Sequence, residues 1–300
     1  MASILVTGGT GLIGKHLCDI LLKKGHKVFI LSRNSSNKPN IFKWDIENNY
    51  IDENAIKNTD YIIHLAGAGI ADKRWTPKRK KLLINSRVSS ANLLYTKVKV
   101  LNPNLKGFIA ASGIGFYGAI TTNKIFTEND SAGNDFLSTI CTHWENASLQ
   151  FNALNIRTVI LRTGVVLTKK GGALEKIVKP IKFGFGAALG TGKQYMPWIH
   201  IDDLCEMYVQ AIENPELTGI YNAVAPEYCT NKILTKEIAE VLNKPLFLPN
   251  IPALILKIIL GKLSNILLEG SRVASNKIVK TGFEFKFSTL KNALKNLLKN

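Results

Sequence analysis

Seven consecutive positions near the start of the chain, Gly8-Gly9-Thr10-Gly11-Leu12-Ile13-Gly14, have the composition of a phosphate cradle. They follow the apolar run SILVT and lead into the amphipathic stretch KHLCDILLKK, which Gly25 closes. A strand, a tight glycine turn and a helix N-terminus in that order aim free backbone N–H groups and the positive end of the helix dipole at one point, which suits a pyrophosphate. Gly8 then permits the turn, Gly11 lets the backbone approach the phosphates and Gly14 lets the helix pack closely on the strand. With Thr10, Leu12 and Ile13 they form the cofactor-binding loop. A second run, KVFIL, ends in Ser32-Arg33-Asn34. A site selective for a dinucleotide without a 2′-phosphate usually carries an acid there for the ribose hydroxyls. An acid repels a 2′-phosphate and an arginine fork matches it, so Ser32 and Arg33 favour NADP(H) over NAD(H).

Positioning such residues takes a parallel sheet. Short β-branched runs, SILVT, KVFIL, YIIHLAG, GFIAAS, RTVILR and a late IYNAV, alternate with longer helical stretches. That alternation predicts an α/β fold, a Rossmann-type doubly wound parallel sheet with a smaller, mainly helical C-terminal lobe. We divide the chain into a cofactor-binding domain over 1–170 and, over 171–300, a substrate loop, a late strand of the sheet and the helical lobe. The clearest helix start is Thr76-Pro77, a hydroxyl N-cap followed by proline at the first helical position. From Gly171 to Pro197 the chain is rich in Gly and Lys and reads as a helix followed by a long loop, a length usually reserved for function.

The composition narrows the partners. The 300 residues are 46% hydrophobic and 20% charged, ordinary for a globular chain. The net charge of +17 comes from basic residues spread along the chain, and its densest cluster, Lys78 to Lys81, opens an amphipathic helix. No nucleic-acid reader motif accompanies the charge, so an anionic small molecule is the expected partner. Cys18, Cys141, Cys205 and Cys229 lie far apart with no His at ligand spacing, which points to reduced thiols in a cytoplasmic protein and to no metal. The stretch IPALILKIILGKLSNILL is broken by Pro252, Lys257, Gly261 and Lys262. It reads as an amphipathic packing helix rather than a bilayer span, so no membrane partner is expected.

Together, TGGTGLIG, LAGAGI and SGIGFYG resemble the extended short-chain dehydrogenase/reductases, the epimerase/dehydratase group. Narrower motifs resemble its branch of epimerase family proteins: ADKRW at 71–75, INSR at 84–87, RTGVVL at 162–167, GGAL at 171–174, MPWIHIDDL at 196–204, NAVAP at 222–226, and a C-terminal extension with LLEGSRV and GFEF. The resemblance implies Leu65, Ala66 and Gly67 beside the adenine and ribose, Arg87 facing the cofactor and Val166 lining the nicotinamide side. It also implies a nucleotide-sugar or carbonyl substrate near the loop with Lys182 and Lys193, where Trp75 and Trp198 could stack on a ring.

Most relatives use a Ser and a Tyr-x-x-x-Lys pair, the lysine and cofactor lowering the tyrosine pKa so that it exchanges a proton with the substrate hydroxyl. Matching Glu145 and Arg162 to the family's landmarks places Leu137 at the tyrosine position and Cys141 at the lysine position. Ser112 is one residue out of register, the family's catalytic hydroxyl falling on Gly113. Tyr117 and Ser112 are the remaining catalytic candidates, with Cys141 as a possible thiolate and Glu128 and Asp130 as loop carboxylates. His143 faces away from Cys141 on helical geometry. His200 reads as a core histidine, and Asp202 as the cap of the helix after it. The sequence therefore supports an oxidoreductase or isomerase with non-standard acid–base residues, a nucleotide-sugar epimerase of that kind, or a catalytically silent NADP(H)-dependent sensor.

Overall fold

The central strands bury both faces, as a sheet covered by helices on each side requires. The computed structural model describes residues 1–34 and 38–299. Strand β1 (Ser3–Thr7) shows the logic: Ile4 and Val6 point into one core and Leu5 into the other, all three fully buried. Helix α1 (Leu12–Lys23) returns the chain to β2 (Lys27–Ser32), which pairs parallel with β1. Next come β3 (Ile41–Asp45), the two-residue β4 (Tyr50–Ile51), a single turn α2 (Asn54–Lys57) and β5 (Tyr61–His64). The long helix α3 (Pro77–Leu101) crosses to β6 (Gly107–Gly113). Beyond β7 (Ile125–Phe126) and α4 (Phe136–Leu149), β8 (Arg157–Thr163) continues the sheet.

The later chain adds β9 (Val165–Leu167), α5 (Gly172–Lys182), β10 (Trp198–His200), α6 (Ile201–Glu213) and β11 (Gly219–Ala223). It ends with α7 (Asn231–Val241), α8 (Ala253–Leu260), α9 (Asn265–Leu268), β12 (Arg272–Val273), α10 (Asn276–Val279) and α11 (Leu290–Lys299). The main sheet runs β11-β8-β6-β5-β1-β2-β3-β4, and β4 pairs antiparallel with β3 while all other pairs are parallel. Strand order reverses between β1 and β5, and a doubly wound sheet opens its ligand crevice at such a point.

Helices α1 and α6 cover one face, through Leu17, Leu21, Leu204 and Tyr208, and α3 covers the other through Leu94 and Val98. Burying each such leucine or valine contributes roughly 1.5–3 kcal/mol. The expected cap at the start of α3 is present: Thr76 Oγ1 accepts the Arg79 N–H at 3.2 Å and Pro77 is the first helical residue. A separate core, built from Leu174, Ile181, Leu234, Ile238, Leu290 and Trp198, joins α5, α7 and α11 to the β9–β10 pair.

The run IFKWD, absent from the expected strands, forms β3; only Trp44 is buried, because the strand lies next to the sheet edge. Two expectations need correcting. YIIHLAG is a strand only to His64, after which Leu65, Ala66 and Gly67 form a loop. Helix α8 does not pack as an amphipathic helix should: of its residues only Leu256 is buried, and Leu254, Ile255, Ile258 and Ile259 are exposed.

Candidate functional site

The turn between β1 and α1 tolerates no side chain at Gly8 or Gly14. Gly8 has φ +70°, and a Cβ there would meet the Leu65 carbonyl carbon at 3.0 Å. A Cβ on Gly14 would overlap the Gly8 carbonyl oxygen, so only glycine lets α1 start this close to β1. The turn is closed by Gly11 N–H donating to Gly8 O at 2.9 Å. No side chain caps α1, Thr10, Gly11 and Leu12 are exposed and Ile13 is half-buried. The arrangement is an open helix N-terminus backed by glycines, ready for an anion. A Cβ on Gly172 would meet Leu12 Cδ2 at 3.2 Å, so the start of α5 borders the same cradle.

Ser32 and Arg33 lie at the carboxyl end of β2. Ser32 Oγ accepts the Asn34 N–H at 3.2 Å, and Arg33 is exposed, its guanidinium pairing with no side chain among the described residues.

The opposite wall, Leu65 to Gly67, hangs from a buried chain of hydrogen bonds. The Ala66 N–H donates to Thr7 Oγ1 at 3.2 Å, Thr7 Oγ1 lies 2.8 Å from His64 Nδ1, and His64 Nε2 lies 3.2 Å from Ser90 Oγ. Ser90 Oγ already donates to α3 carbonyls, those of Ser86 and Arg87 both at 2.9 Å. It must therefore accept from His64 Nε2–H, which leaves Nδ1 to accept the Thr7 hydroxyl proton. Burial pushes the His64 pKa down to about 4, so the imidazole is neutral as the relay requires. Arg87 was expected to face the cofactor. It is instead buried beneath the loop, donating to Leu83 O at 2.9 Å and Ala68 O at 3.0 Å and lying 4.8 Å over the Trp144 ring. Burial lowers its pKa to about 10.

Ser112 and Tyr117 belong to a second buried network. Glu145 and Arg162 form a two-bond ion pair at 2.9 and 2.8 Å, and Ser112 Oγ donates to Glu145 Oε1 at 2.7 Å. The Tyr117 hydroxyl accepts from Arg162 Nη1 at 3.0 Å and donates to Asn222 Oδ1 at 2.6 Å, while Asn222 Nδ2 donates to Ala274 O at 3.0 Å. Burial raises Tyr117 to about 12, outweighing the neighbouring Arg162 charge. Both candidate hydroxyls are thus engaged inside the protein, because the 3-10 turn Ile114–Tyr117 after β6 directs the tyrosine inward against Phe126 and Val224.

The first turns of helix α4 bring Leu137 and Cys141 to the end of β6. Asp135 caps α4, accepting the Ser138 N–H at 2.9 Å, and its other oxygen holds the Ala119 N–H at 2.7 Å. One turn apart, half-buried Leu137 and buried Cys141 pack on the β6 end: a Cβ on Gly115 would meet Leu137 Cβ at 3.1 Å, and one on Gly113 would meet Cys141 Sγ at 3.6 Å. Burial and then the Glu145 charge push the Cys141 thiol up to about 12, so it is no thiolate near neutrality. His143 is exposed on the other side of α4. Glu128 accepts the Asn222 N–H at 2.8 Å, and Asp130 closes its own turn through Thr127 N at 2.7 Å.

On the substrate side, Val166 is half-buried in β9, and Lys182 and Lys193 are exposed. Trp198 is fully buried and cannot stack on a ligand. Trp75 is half-buried and meets Phe136 edge-on at 5.0 Å. His200 is the core residue expected, stacked 3.8 Å from Phe287, but it also caps α6: its Nδ1 accepts the Asp202 N–H at 3.1 Å. Asp202, expected as that cap, bonds His16 Nε2 at 2.6 Å. Sequence reasoning missed Thr7, His64, Ser90 and Asn222, since each acts through a partner 26 or more residues away.

Comparison with known proteins places this geometry among relatives. Residues 4–223 match the NAD dependent epimerase/dehydratase family, and residues 251–297 match a domain of unknown function, DUF1731. The chain is 36% identical to the epimerase family protein YfhF of Bacillus subtilis, over 99% of this chain and 98% of the relative. It is 32% identical to the chloroplastic epimerase family protein SDR39U1 homolog of Arabidopsis thaliana, over 99% of this chain and 86% of that protein. The crystal structure of human epimerase family protein SDR39U1 with NADPH superposes with a TM-score of 0.90 at 30% identity, covering 99% of both chains.

Proposed function

Because the chain belongs to the NAD dependent epimerase/dehydratase family, with the DUF1731 domain at its C-terminal end, we propose that it is an NADP(H)-binding oxidoreductase or isomerase of the extended short-chain type that works without a tyrosine–lysine pair. The observation that carries the reading is the cradle, where any side chain on Gly14 would overlap Gly8 and the N-terminus of α1 is left uncapped and open. Its residues fit a dinucleotide: the amides from Thr10 to Gly14 for the pyrophosphate, Arg33 for a 2′-phosphate, Leu65 to Gly67 for the adenosine and Val166 for the nicotinamide side. The NADPH of the human relative supports the choice of the phosphorylated cofactor.

When bound, the dinucleotide supplies hydride chemistry at nicotinamide C4. The chain's own part is to bind it and orient it, with Leu137 and Cys141 beside the end of β6 in place of the usual tyrosine and lysine. With Ser112 and Tyr117 acting as positioning residues of the buried network, the proton comes from water or from an acidic group of the substrate. An anionic nucleotide sugar or carbonyl suits the exposed Lys182 and Lys193 beside the segment Gly171–Pro197. A silent NADP(H)-dependent sensor is the second reading. It is favoured by the engagement of every candidate side chain, and by the contact of Leu12 with Gly172, through which cofactor occupancy would reach that segment.

Tryptophan fluorescence titration should give tighter binding of NADPH than NADH, and an Arg33→Ala variant should lose the difference. Equal affinities in the unaltered chain would remove the 2′-phosphate assignment. Stereospecifically deuterated NADPH, incubated with carbonyls and nucleotide sugars, separates the two readings: label transfer identifies an enzyme, and silence across a broad panel favours the sensor.

A further inference from the structure

Helix α8 and two neighbouring loops form an apolar face that the fold leaves uncovered. Leu254 and Ile258 are each 68% exposed, and Ile255 and Ile259 lie beside them on the same eight-residue helix. Phe183 and Phe247 are each 70% exposed on the loops after α5 and α7. The pieces are joined: Ile251 N–H donates to Ala188 O at 2.8 Å, Gly190 N–H donates to Ile251 O at 2.9 Å, and Leu246 packs on Gly186. Between the two loops and α7 runs a groove of about 420 Å³ with Ala187, Leu246 and Leu248 in its walls and Lys232, Lys236, Glu240 and Lys244 along it. Apolar exposure this dense is uncommon unless the surface meets a partner.

The charge identifies the partner's chemistry. No Asp or Glu occurs between Glu175 and Asp202, nor between Glu240 and Glu269, while those two segments carry seven lysines. Lys244, Lys257 and Lys262 are all exposed. A second copy placed on this face about a two-fold axis would set one lysine-rich surface against another, the groove's acid, Glu240, being already paired with Lys236 at 3.5 Å. A surface both apolar and anionic satisfies it better. We propose that α8 and the loops at 183–187 and 244–250 dock the protein peripherally on an anionic lipid bilayer. The isoleucines and phenylalanines enter the boundary between headgroups and acyl chains, and the lysines meet the lipid phosphates. The docking is superficial, since no helix among the described residues is long and apolar enough to cross a membrane. It is independent of the cofactor assignment, because none of these residues belongs to the cradle.

Co-sedimentation of the full chain with vesicles of phosphatidylcholine alone, or of phosphatidylcholine mixed with phosphatidylglycerol, tests this. At low salt, partition onto the mixed vesicles should exceed that onto the neutral ones about tenfold or more, and fall as salt is raised. A Leu254→Ser/Ile258→Ser variant and a Lys257→Gln/Lys262→Gln variant should each lose most of that partition. Both should keep the unaltered chain's melting temperature and NADPH affinity, since all four side chains are exposed. Equal partition onto the two vesicle types, none onto either, or unchanged partition of either variant overturns the proposal. So does a dimer in light scattering that the Leu254→Ser/Ile258→Ser variant converts to a monomer, which would show that a second copy covers the face.

Discussion

Ser112, Tyr117, Glu145 and Arg162 show how residues at the usual place of chemistry come to serve structure instead. Burial works against a charged Arg162, but the bonds and charge of Glu145 outweigh it and hold the guanidinium above its ordinary value. Removing one partner of such a pair leaves the other charge buried and alone. Glu145→Gln should therefore cost about 3–5 kcal/mol in urea-induced unfolding. Tyr117→Phe leaves Asn222 Oδ1 without its donor and should cost about 1–3 kcal/mol. If Tyr117 also carried a proton in a reaction, that variant would in addition abolish label transfer from deuterated NADPH. The sequence made Glu145 and Arg162 legible as landmarks 17 positions apart, and so exposed Leu137 and Cys141 in the usual tyrosine and lysine places. That the landmarks bond each other, and absorb both candidate hydroxyls, depends on β6, β8 and α4 meeting, which no local pattern encodes.

Among the elements, the loop after β5 is the one most dependent on a single protonation state. Its amide at Ala66 is held through Thr7 by neutral His64, with the Arg87 guanidinium close by and opposing a second positive charge. A histidine whose pKa falls from 6.5 unfolded to about 4 folded gives stability that is complete above pH 6.5 and lost as pH falls toward 4. The span is on the order of 3 kcal/mol. His200 shifts in the same direction for the same reason, so His64→Asn should reduce the acid slope without removing it. Unfolding midpoints measured across that range check this, and a slope equal to that of the unaltered chain would exclude His64 as a contributor. Local signals sufficed for α1 and for the capped start of α3. They failed for β3, whose strand character comes from its neighbour β2, and for α8, whose apolar spacing suggested a packing partner the fold does not provide.

For the molecule as a whole, the four thiols report how far folding is cooperative. Cys18 and Cys205 lie in the core shared by α1 and α6, Cys141 lies against the end of β6, and Cys229 lies in the C-terminal core with α7. All four are free and buried. Burial raises every one of their pKa values, Cys18, Cys141 and Cys229 each to about 12, so neither access nor ionisation favours attack in the native state. β11 returns the later chain to the main sheet, and Trp198 on β10 belongs to the C-terminal core, so the sheet and the lobe should open together. A thiol reagent such as dithionitrobenzoate should then label all four at one slow rate in the native protein and at once in denaturant. If opening and closing are fast relative to labelling, that rate follows the unfolded population. NADPH at a hundred times its Kd should then slow all four by about a hundredfold, because a ligand bound only by the native state depletes the open one by that factor. Protection confined to Cys18 and Cys205 would show instead that the cradle and α6 open as a unit separate from the C-terminal lobe.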